Sequence, residues 1–320
     1  MIAATGLTKH YGSTVAVDDL SFTIRPGLVT GFLGPNGAGK TTTMRLILGL
    51  DKPNAGTVTV GGKPYAQLAW PMREVGALLD ARAVHGGRSA RSHLRCLAQT
   101  NGISARRVDE VLGIVGLTDV AARRSKTFSL GMNQRLGIAG ALLGDPQTLM
   151  FDEPVNGLDP EGIVWIRALM RSLAAEGRAV LVSNHLMSEM ENTADHLIVV
   201  GRGRLIADCG IDEFIASSRH EAVRVRTPQP AALAVAIASA GGAASVVTST
   251  DEAVGGAAIE VRGLTENQVA DLAFARGIRL RHLSTSKVSL EQAFMELTAD
   301  SVRYQSVLPG QATAMNGTEE

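Results

Sequence analysis

Apolar and polar residues alternate in short runs along the first 65 positions, and the runs end at glycine or proline. This pattern, clear in "STVAVDDLSFTIRPG" and "GTVTVGGKPY", is typical of strands. "LVTGFLG" predicts a further strand that leads into a glycine-rich stretch, and the apolar spacing in "KTTTMRLILGL" predicts a helix after it. The sequence therefore predicts strand, loop and helix around residues 34–42.

The apolar period becomes helical between residues 88 and 145, in "SARSHLRCLAQT", "SARRVDEVLGIVGL" and "LGMNQRLGIAGALLG". We interpret this stretch as a helical insertion. Strands return in "QTLMF" and "RAVLVSN", with the amphipathic "DPEGIVWIRALMRSLAAEG" between them, and "HLIVVGRGRLIADCG" predicts a hairpin. This alternation favours an α/β fold built on a parallel sheet that helices cover on both faces.

A second unit begins after residue 220. Its predicted elements run strand, helix, strand, strand, helix, strand, from "AVRVRT" to "RLRHLST", and a helix in "SLEQAFMELTAD" follows. The βαββαβ order is that of a small α+β ferredoxin-like domain. We therefore expect a first domain over residues 1–215, an accessory domain over 220–300 and a flexible tail over 301–320.

Two stretches bear on membrane targeting. "AALAVAIASAGGAASVV" is apolar, but it is rich in alanine and Gly241 and Gly242 interrupt it, so we predict a helix, a turn and a strand. "MIAATGLTKHYG" lacks the charged start and long apolar core of a signal peptide. We therefore expect the chain to stay in the cytoplasm.

Composition narrows the function classes. A hydrophobic fraction of 45% over 320 residues supports two buried cores. Basic and acidic residues both number 31, so a nucleic-acid or membrane partner must be held by a local surface and not by net charge. Cys96 and Cys209 have no metal-binding spacing and fit free thiols in a reducing compartment.

The stretch "GPNGAGKTT", residues 34–42, has the phosphate-loop pattern of spaced glycines followed by Lys and Thr. Glycines let backbone N–H groups turn toward phosphates, and the following helix adds its positive end. We expect Lys40 to neutralise the β- and γ-phosphates of a nucleoside triphosphate, and the Thr41 hydroxyl to coordinate Mg²⁺. The predicted phosphate-binding set is Gly34, Pro35, Asn36, Gly37, Ala38, Gly39, Lys40, Thr41 and Thr42.

Polar residues follow two apolar strands that would end at one sheet edge, where open α/β folds bind ligands. After "TLMF", Asp152 suits the magnesium shell through water, and Glu153 suits a general base that polarises the attacking water. After "AVLVSN", His185 is placed near the γ-phosphate. The alternatives are two solvated turn acids and a structural histidine.

"FSLGMNQR", residues 128–135, resembles the signature of the ATP-binding-cassette (ABC) transporters and lies, as in that family, between the phosphate loop and "LMFDEP". The resemblance runs from Gly6 to Cys209. It implies a P-loop NTPase fold, an ABC nucleotide-binding domain with an N-terminal antiparallel β-subdomain and a helical insertion. It also implies a head-to-tail homodimer in which signature residues contact ATP bound to the other copy, namely Ser129, Gly131 and Met132. An ordinary N-cap role for Ser129 fits the same geometry.

Three further positions carry over by this resemblance. Tyr11 matches the aromatic residue that stacks on adenine, with a buried core tyrosine as the alternative. Asp159 in "NGLDP" matches the loop that communicates between the two sites of the dimer. Asp80 in "VGALLDAR" stands where the family usually has Gln. An aspartate there could touch Mg²⁺ through water, or the alignment slips and Asp80 is a plain loop acid.

The signature carries Leu130 and Met132 where the commoner pattern has Gly and Gln. With Asp80 and "SLEQAFMELT", this resembles the ATPase subunits of bacterial drug and antibiotic exporters. We therefore expect an ATP-hydrolysing, Mg²⁺-dependent homodimer at the cytoplasmic face of the membrane. It would power a separate integral membrane permease that exports a drug, antibiotic or lipid-like compound, with no nucleic-acid partner. An importer ATPase of the family, or a soluble ABC ATPase acting on nucleic acid or ribosomes, is the alternative.

Overall fold

The computed structural model of the protein describes residues 1–81, 83–184, 186–217, 222–247, 257–286 and 290–298. The chain divides into two compact units, one containing Met1–Ile211 and the other Asp212–Glu296. Arg82, the predicted tail over 301–320 and His185 lie outside the described residues.

The elements of the first unit are, in chain order, β1 (Ile2–Tyr11), β2 (Thr14–Ile24), β3 (Val29–Leu33), α1 (Lys40–Ile47), β4 (Ala55–Val60), α2 (Pro71–Glu74), β5 (Val75–Leu78), α3 (Ala90–Thr100), α4 (Ala105–Ile114), α5 (Leu130–Leu142), β6 (Thr148–Asp152), α6 (Pro160–Ala175), β7 (Ala179–Ser183), α7 (Met187–Glu191), β8 (His196–Gly201) and β9 (Arg204–Gly210). Single 3-10 turns occur at Tyr65–Gln67, Thr118–Val120 and Ser125–Thr127.

A six-stranded sheet in the order β5-β6-β7-β3-β8-β9 forms the centre of this unit. The first five strands of that order are parallel, and β9 pairs antiparallel with β8 as the predicted hairpin. β3 and β7 are buried along their whole length, as their continuous apolar runs predict. Because β3, β6 and β7 are parallel neighbours, the residues that follow them meet at one edge of the sheet.

A three-stranded antiparallel sheet, β2-β1-β4, is the predicted N-terminal β-subdomain. Its inward residues share one apolar core with α1 and the central sheet, including Leu7, Leu20, Phe32, Met44 and Ile198. The rings of Phe22 and Phe32 are 5.7 Å apart. The glycine-rich loop between β3 and α1 is therefore carried by a rigid core.

Helices α3, α4 and α5 form the predicted helical insertion. Each begins after a serine, Ser89, Ser104 or Ser129, whose hydroxyl accepts a hydrogen bond from the backbone N–H three residues later. Helix α5 lies directly on β5, because a Cβ on Gly76 would be 1.9 Å from the backbone oxygen of Ala141. Only glycine at this position lets helix and strand approach so closely.

The second unit contains α8 (Ile211–Ser217), which starts at the boundary, then β10 (Ala222–Thr227), α9 (Pro230–Ser239), β11 (Ala243–Val247), β12 (Ala257–Arg262), α10 (Glu266–Ala275), β13 (His282–Ser286) and all but the last two residues of α11 (Leu290–Thr298). Its sheet has the order β11-β12-β10-β13, with all pairs antiparallel. This is the strand order of a ferredoxin-like βαββαβ unit. Residues from α9, α10 and the sheet share one apolar core, including Val225, Leu233, Ile259 and Val269.

The apolar stretch at 231–247 forms α9, a turn and β11, as predicted. Across the described parts of the chain, no helix is both long and apolar enough to cross a membrane. The α/β fold with an antiparallel subdomain and a helical insertion is confirmed, and the domain limits at 215 and 220 stay a prediction.

Gly76→Ala should destabilise the first unit, since the new Cβ would clash with the Ala141 carbonyl. We expect a loss of about 1–3 kcal/mol in the free energy of unfolding. The control is Gly113→Ala in α4, where the nearest atom to a Cβ is 4.0 Å away, and we expect a gain of up to about 1 kcal/mol. Urea unfolding followed by tryptophan fluorescence measures both, because Trp70 and Trp165 lie in the first unit. Equal stability of the two variants would contradict the close contact.

Candidate active site

The glycine-rich loop joins the buried end of β3 to α1. Gly37 and Gly39 have φ values of 79° and 99°, in the left-handed region that favours glycine. A Cβ on Gly34 would lie 2.4 Å from the backbone oxygen of Val200, and one on Gly39 would lie 2.3 Å from that of Ala16. Among the described residues, no side chain caps the N-terminus of α1, where the first amide groups of a helix can bind an anion.

Lys40, the first residue of α1, extends back into the loop. Its Nζ donates hydrogen bonds to the backbone oxygens of Gly34 at 2.6 Å and Pro35 at 3.2 Å, and the residue is 8% exposed. Burial lowers the pKa of Lys40, and the nearby carboxylates of Glu153 and Asp152 oppose this shift. The loop therefore holds a desolvated ammonium group, which an added anion would stabilise further.

Asp152 joins three segments at the edge of the sheet. Its Oδ2 accepts a hydrogen bond from the Thr41 hydroxyl of α1 at 2.7 Å, and its Oδ1 accepts one from the Ser183 hydroxyl at the end of β7. Ser183 is completely buried. These bonds fix the carboxylate beside the loop.

The backbone of Glu153 is held from both sides. Its N–H donates to the backbone oxygen of Ser183 at 3.1 Å and to the Ser183 hydroxyl at 3.2 Å. Its carbonyl accepts from Gln134 Nε2 at 3.1 Å, and its carboxylate accepts from the Asn156 side chain. The φ of Glu153 is 50°, a left-handed conformation that costs a non-glycine residue about 1 kcal/mol or more. Strain of this kind is frequent at functional sites.

The acidic pair Asp152 and Glu153 lines two cavities. One, of about 350 Å³, is lined by the loop, Tyr11, Thr41, Asp152 and Glu153. The other, of about 530 Å³, is lined by Thr41, Asp80, Leu130, Gln134, Asp152, Glu153 and Asn156 among others. The fold thus brings together the predicted loop, both acids and Asp80, which follows β5.

The donor set near the loop suits magnesium. Among the described residues, no cluster of three or more His, Cys, Asp or Glu side chains could hold a metal. Thr41 and Asp152 instead offer one hydroxyl and one carboxylate oxygen, 2.7 Å apart, beside the predicted phosphate-binding loop. Mg²⁺ is commonly bound by one or two such protein oxygens, together with substrate phosphates and waters.

Tyr11 is a surface residue and not the core tyrosine of the alternative interpretation, since it is 46% exposed and lines the smaller cavity. Its hydroxyl donates to Asp51 Oδ2 at 2.7 Å, and Arg45 Nε donates to the same oxygen at 2.7 Å. Partial burial and the bond to Asp51 raise the pKa of Tyr11, and the bonds from Arg45 and Tyr11 lower the pKa of Asp51. This network fixes the ring at the edge of the cavity.

The signature-like residues lie at the start of α5. The Ser129 hydroxyl accepts from the backbone N–H of Met132 at 3.2 Å, which is N-cap geometry. Gly131 contacts the loop after Glu153, because a Cβ there would be 2.7 Å from the backbone oxygen of Gly157. Asp159 ends that loop and caps α6, accepting from the N–H of Gly162 at 2.9 Å.

Three residues of the site were not predicted from the sequence: Gln134, Asn156 and Ser183. Gln134 and Ser183 meet the acidic pair from distant segments, and Asn156 meets Glu153 within one turn of the chain, so periodicity identifies none of the three contacts. His185 stays a prediction, since β7 ends at Ser183 and residue 185 is outside the described part of the chain.

Ser183→Ala should destabilise the first unit, because it removes a buried donor to the Asp152 carboxylate. A hydrogen bond to a charged group contributes about 1.5–3 kcal/mol, which is the expected loss in the free energy of unfolding. Ser172→Ala, at an exposed position of α6, is the control and should change stability by less than about 0.5 kcal/mol. Equal urea midpoints would show that the Ser183 bond contributes nothing.

The sequence and the fold are similar to those of known proteins. Residues 17–156 match the model of the ABC transporter family, and residues 221–291 match a domain of unknown function. An uncharacterized ABC transporter ATP-binding protein of Bacillus subtilis (strain 168) is 38% identical over 92% of this chain and 95% of its own length. The bacitracin transport ATP-binding protein of Bacillus licheniformis is 41% identical over 68% of this chain and 72% of its own.

A solved structure described as the ATP-binding subunit of an ABC transporter superposes with a TM-score of 0.63 at 26% identity. The superposition covers 68% of this chain and 92% of the solved chain.

Proposed function

The chain belongs to the family of ABC transporter ATP-binding proteins, and from this premise we propose that it is the ATPase subunit of a membrane exporter. In this proposal two copies close on two ATP molecules, and hydrolysis reopens them to drive a separate permease. One observation carries the proposal: Lys40, Thr41, Asp152 and Glu153 meet at one sheet edge, with the start of α5 beside them.

ATP would bind with its phosphates in the loop over residues 34–42. The loop amides and Lys40 would hold the β- and γ-phosphates, and the negative phosphates would relieve the cost of burying the ammonium. Thr41 and Asp152 would hold Mg²⁺, and Asp80 would reach it through water. When bound, the metal would neutralise charge that develops on the phosphate oxygens. The exposed ring of Tyr11 would stack on adenine.

Glu153 would act as the general base toward the attacking water. Asn156 already donates a hydrogen bond to its carboxylate, and Gln134 and Ser183 fix its backbone, so the base is preorganised before water arrives. We also propose that His185 contacts the γ-phosphate from the end of β7.

The start of α5 would complete the site of the other copy. Ser129, Gly131 and Met132 lie at a helix N-terminus, which favours an anion through its amide groups and dipole. ATP would then favour the closed dimer, because only that state supplies these contacts, and a ligand shifts a population only by binding one state better. Asp80 and Asp159 would couple changes at the γ-phosphate to neighbouring loops and to the second site.

The permease would lie in the membrane and this chain at its cytoplasmic face. Transport of bacitracin by the relative named for it supports a drug, antibiotic or lipid-like cargo here. We assign residues 1–215 to the ATPase domain, and residues 220–300 to a domain that stabilises the dimer or docks the permease. No nucleic-acid partner is proposed.

Affinity capture of the tagged protein from detergent-solubilised native membranes tests the permease assignment. We expect a stoichiometric multi-span protein among the polypeptides identified by mass spectrometry. Recovery only from the soluble fraction, alone or with ribosomes or DNA, would overturn the export assignment and leave the ATPase proposal standing.

Glu153→Gln should trap an ATP-bound dimer, because it removes the base and keeps the side-chain shape. We expect a doubling of the mass by light scattering after size exclusion with ATP and Mg²⁺, and a monomer without them. Lys40→Met in the same background is the control and should stay monomeric, since the phosphates lose their ammonium partner. A Glu153→Gln variant that stays monomeric with ATP would refute the dimer.

Tyr11→Ala should weaken ATP binding about tenfold, because stacking of a base on an aromatic ring contributes about 1–3 kcal/mol. Tyr11→Phe keeps the ring and loses only the hydroxyl bond to Asp51, so its ATP affinity should stay near that of the wild type. Titration with a fluorescent ATP analogue measures both. Equal ATP affinities for the two variants would contradict stacking of adenine on the Tyr11 ring.

A further inference from the structure

The first turns of α5 are joined to Glu153 by a hydrogen bond from a buried side chain. Gln134 lies one turn after Leu130, where α5 begins, and is 4% exposed. Its Nε2 donates to the backbone oxygen of Glu153 at 3.1 Å. The bond therefore links the helix that carries the signature-like residues to the proposed base of the same chain.

A second contact packs the first turn of α5 directly against the loop that follows Glu153. A Cβ on Gly131 would lie 2.7 Å from the oxygen of Gly157, and a Cβ on Gly157 would lie 2.3 Å from Leu130 Cγ. The loop after Glu153 thus rests directly on the first turn of α5. Asn156, in the same loop, donates to the Glu153 carboxylate.

The opposite side of Glu153 is anchored to the sheet. Its N–H is held by Ser183 at the end of β7, and its φ of 50° is one that few L-residues adopt. Ser183 therefore holds the peptide group before the Glu153 Cα, and the hydrogen bond from Gln134 holds the peptide group after it. A movement of α5 would therefore be passed through Gln134 to the backbone that carries the Glu153 carboxylate.

We propose that Gln134 is a positioning residue, which couples occupancy of the signature end of α5 to the orientation of Glu153. The inference rests on the proposed function, because that end meets the ATP of the other copy only in the dimer. ATP bound by one copy would draw in α5 of its partner, and Gln134 would then align the partner's base. Each copy would hydrolyse its own ATP efficiently only when the other site is filled.

Gln134→Met tests this coupling. Methionine has nearly the same length and is apolar, so it fills the buried position without a donor to the Glu153 carbonyl. We expect the variant to fold, to bind ATP as the wild type does and to lose about tenfold in kcat. The Hill coefficient for ATP should fall from near the limit of about 2, set by two sites, toward about 1.

Gln134→Glu adds a second measurement, the pH dependence of kcat, which should not change if Gln134 only stabilises the fold. A carboxylate has no donor for the Glu153 carbonyl, whereas a protonated carboxylic acid has one O–H donor. Burial raises the pKa of such a carboxyl group, which brings its protonation toward accessible pH. The ratio of kcat for this variant to kcat for the wild type should therefore rise as pH falls.

Arg135→Met is the matched control. Arg135, the next residue of α5, donates to the backbone oxygen of Val115 at 3.1 Å and lies 4.5 Å over the ring of Trp165. Its removal perturbs α5 without touching Glu153, so the Hill coefficient should stay at the wild-type value. Thermal unfolding of all variants checks that each is folded at the assay temperature.

The outcomes separate the two proposals. A wild-type Hill coefficient in Gln134→Met, an equal loss of cooperativity in Arg135→Met, a flat pH ratio in Gln134→Glu, or a wild type without cooperativity would each overturn the coupling role. Failure of Glu153→Gln to dimerise with ATP would instead overturn the dimer itself. A loss of cooperativity in Gln134→Met, with ATP-driven dimerisation retained when Glu153→Gln is added, would establish the coupling.

Discussion

The desolvated ammonium of Lys40 is the constraint that orders the candidate site. A buried cation is unfavourable unless polar groups surround it, and here two loop carbonyls contact it while two carboxylates oppose the loss of charge. The loop can wrap it because Gly34 and Gly39 carry no Cβ, and the two carboxylates act on its charge from the end of β6. The glycine spacing, the parallel sheet and the acidic pair are thus parts of one arrangement.

Much of this arrangement could be predicted from sequence. Periodicity identifies strands and helices, and parallel strands place their carboxyl ends at one edge, so residues 34–42, Asp152 and Glu153 follow directly. The resemblance of residues 128–135 to a family signature predicts that the start of α5 also belongs to the site. The confirmed fold class depends on both kinds of signal. Gly241 and Gly242, which follow α9, distinguish the apolar stretch at 231–247 from a membrane span.

The remaining contacts could not be predicted, because a period fixes which face a residue occupies and not which distant atom it meets. Gln134 is an interior position of α5, and nothing in its spacing points to the Glu153 carbonyl. Tyr11 is the last residue of β1, and its surface position and its bond to Asp51 are set by where that strand ends in the fold. The sequence could not fix the role of Asp80, because the alignment to the family could slip by one residue there. The fold shows that Asp80 lines the same cavity as Asp152 and Glu153.

The left-handed backbone of Glu153 has an evolutionary consequence. Glycine or asparagine would occupy that conformation with less strain, so selection for stability alone would favour losing the glutamate. Under the proposed function, selection for ATP hydrolysis opposes that loss at the same position. In a lineage that no longer needs hydrolysis, replacing residue 153 would therefore relieve backbone strain and remove the proposed base in one substitution.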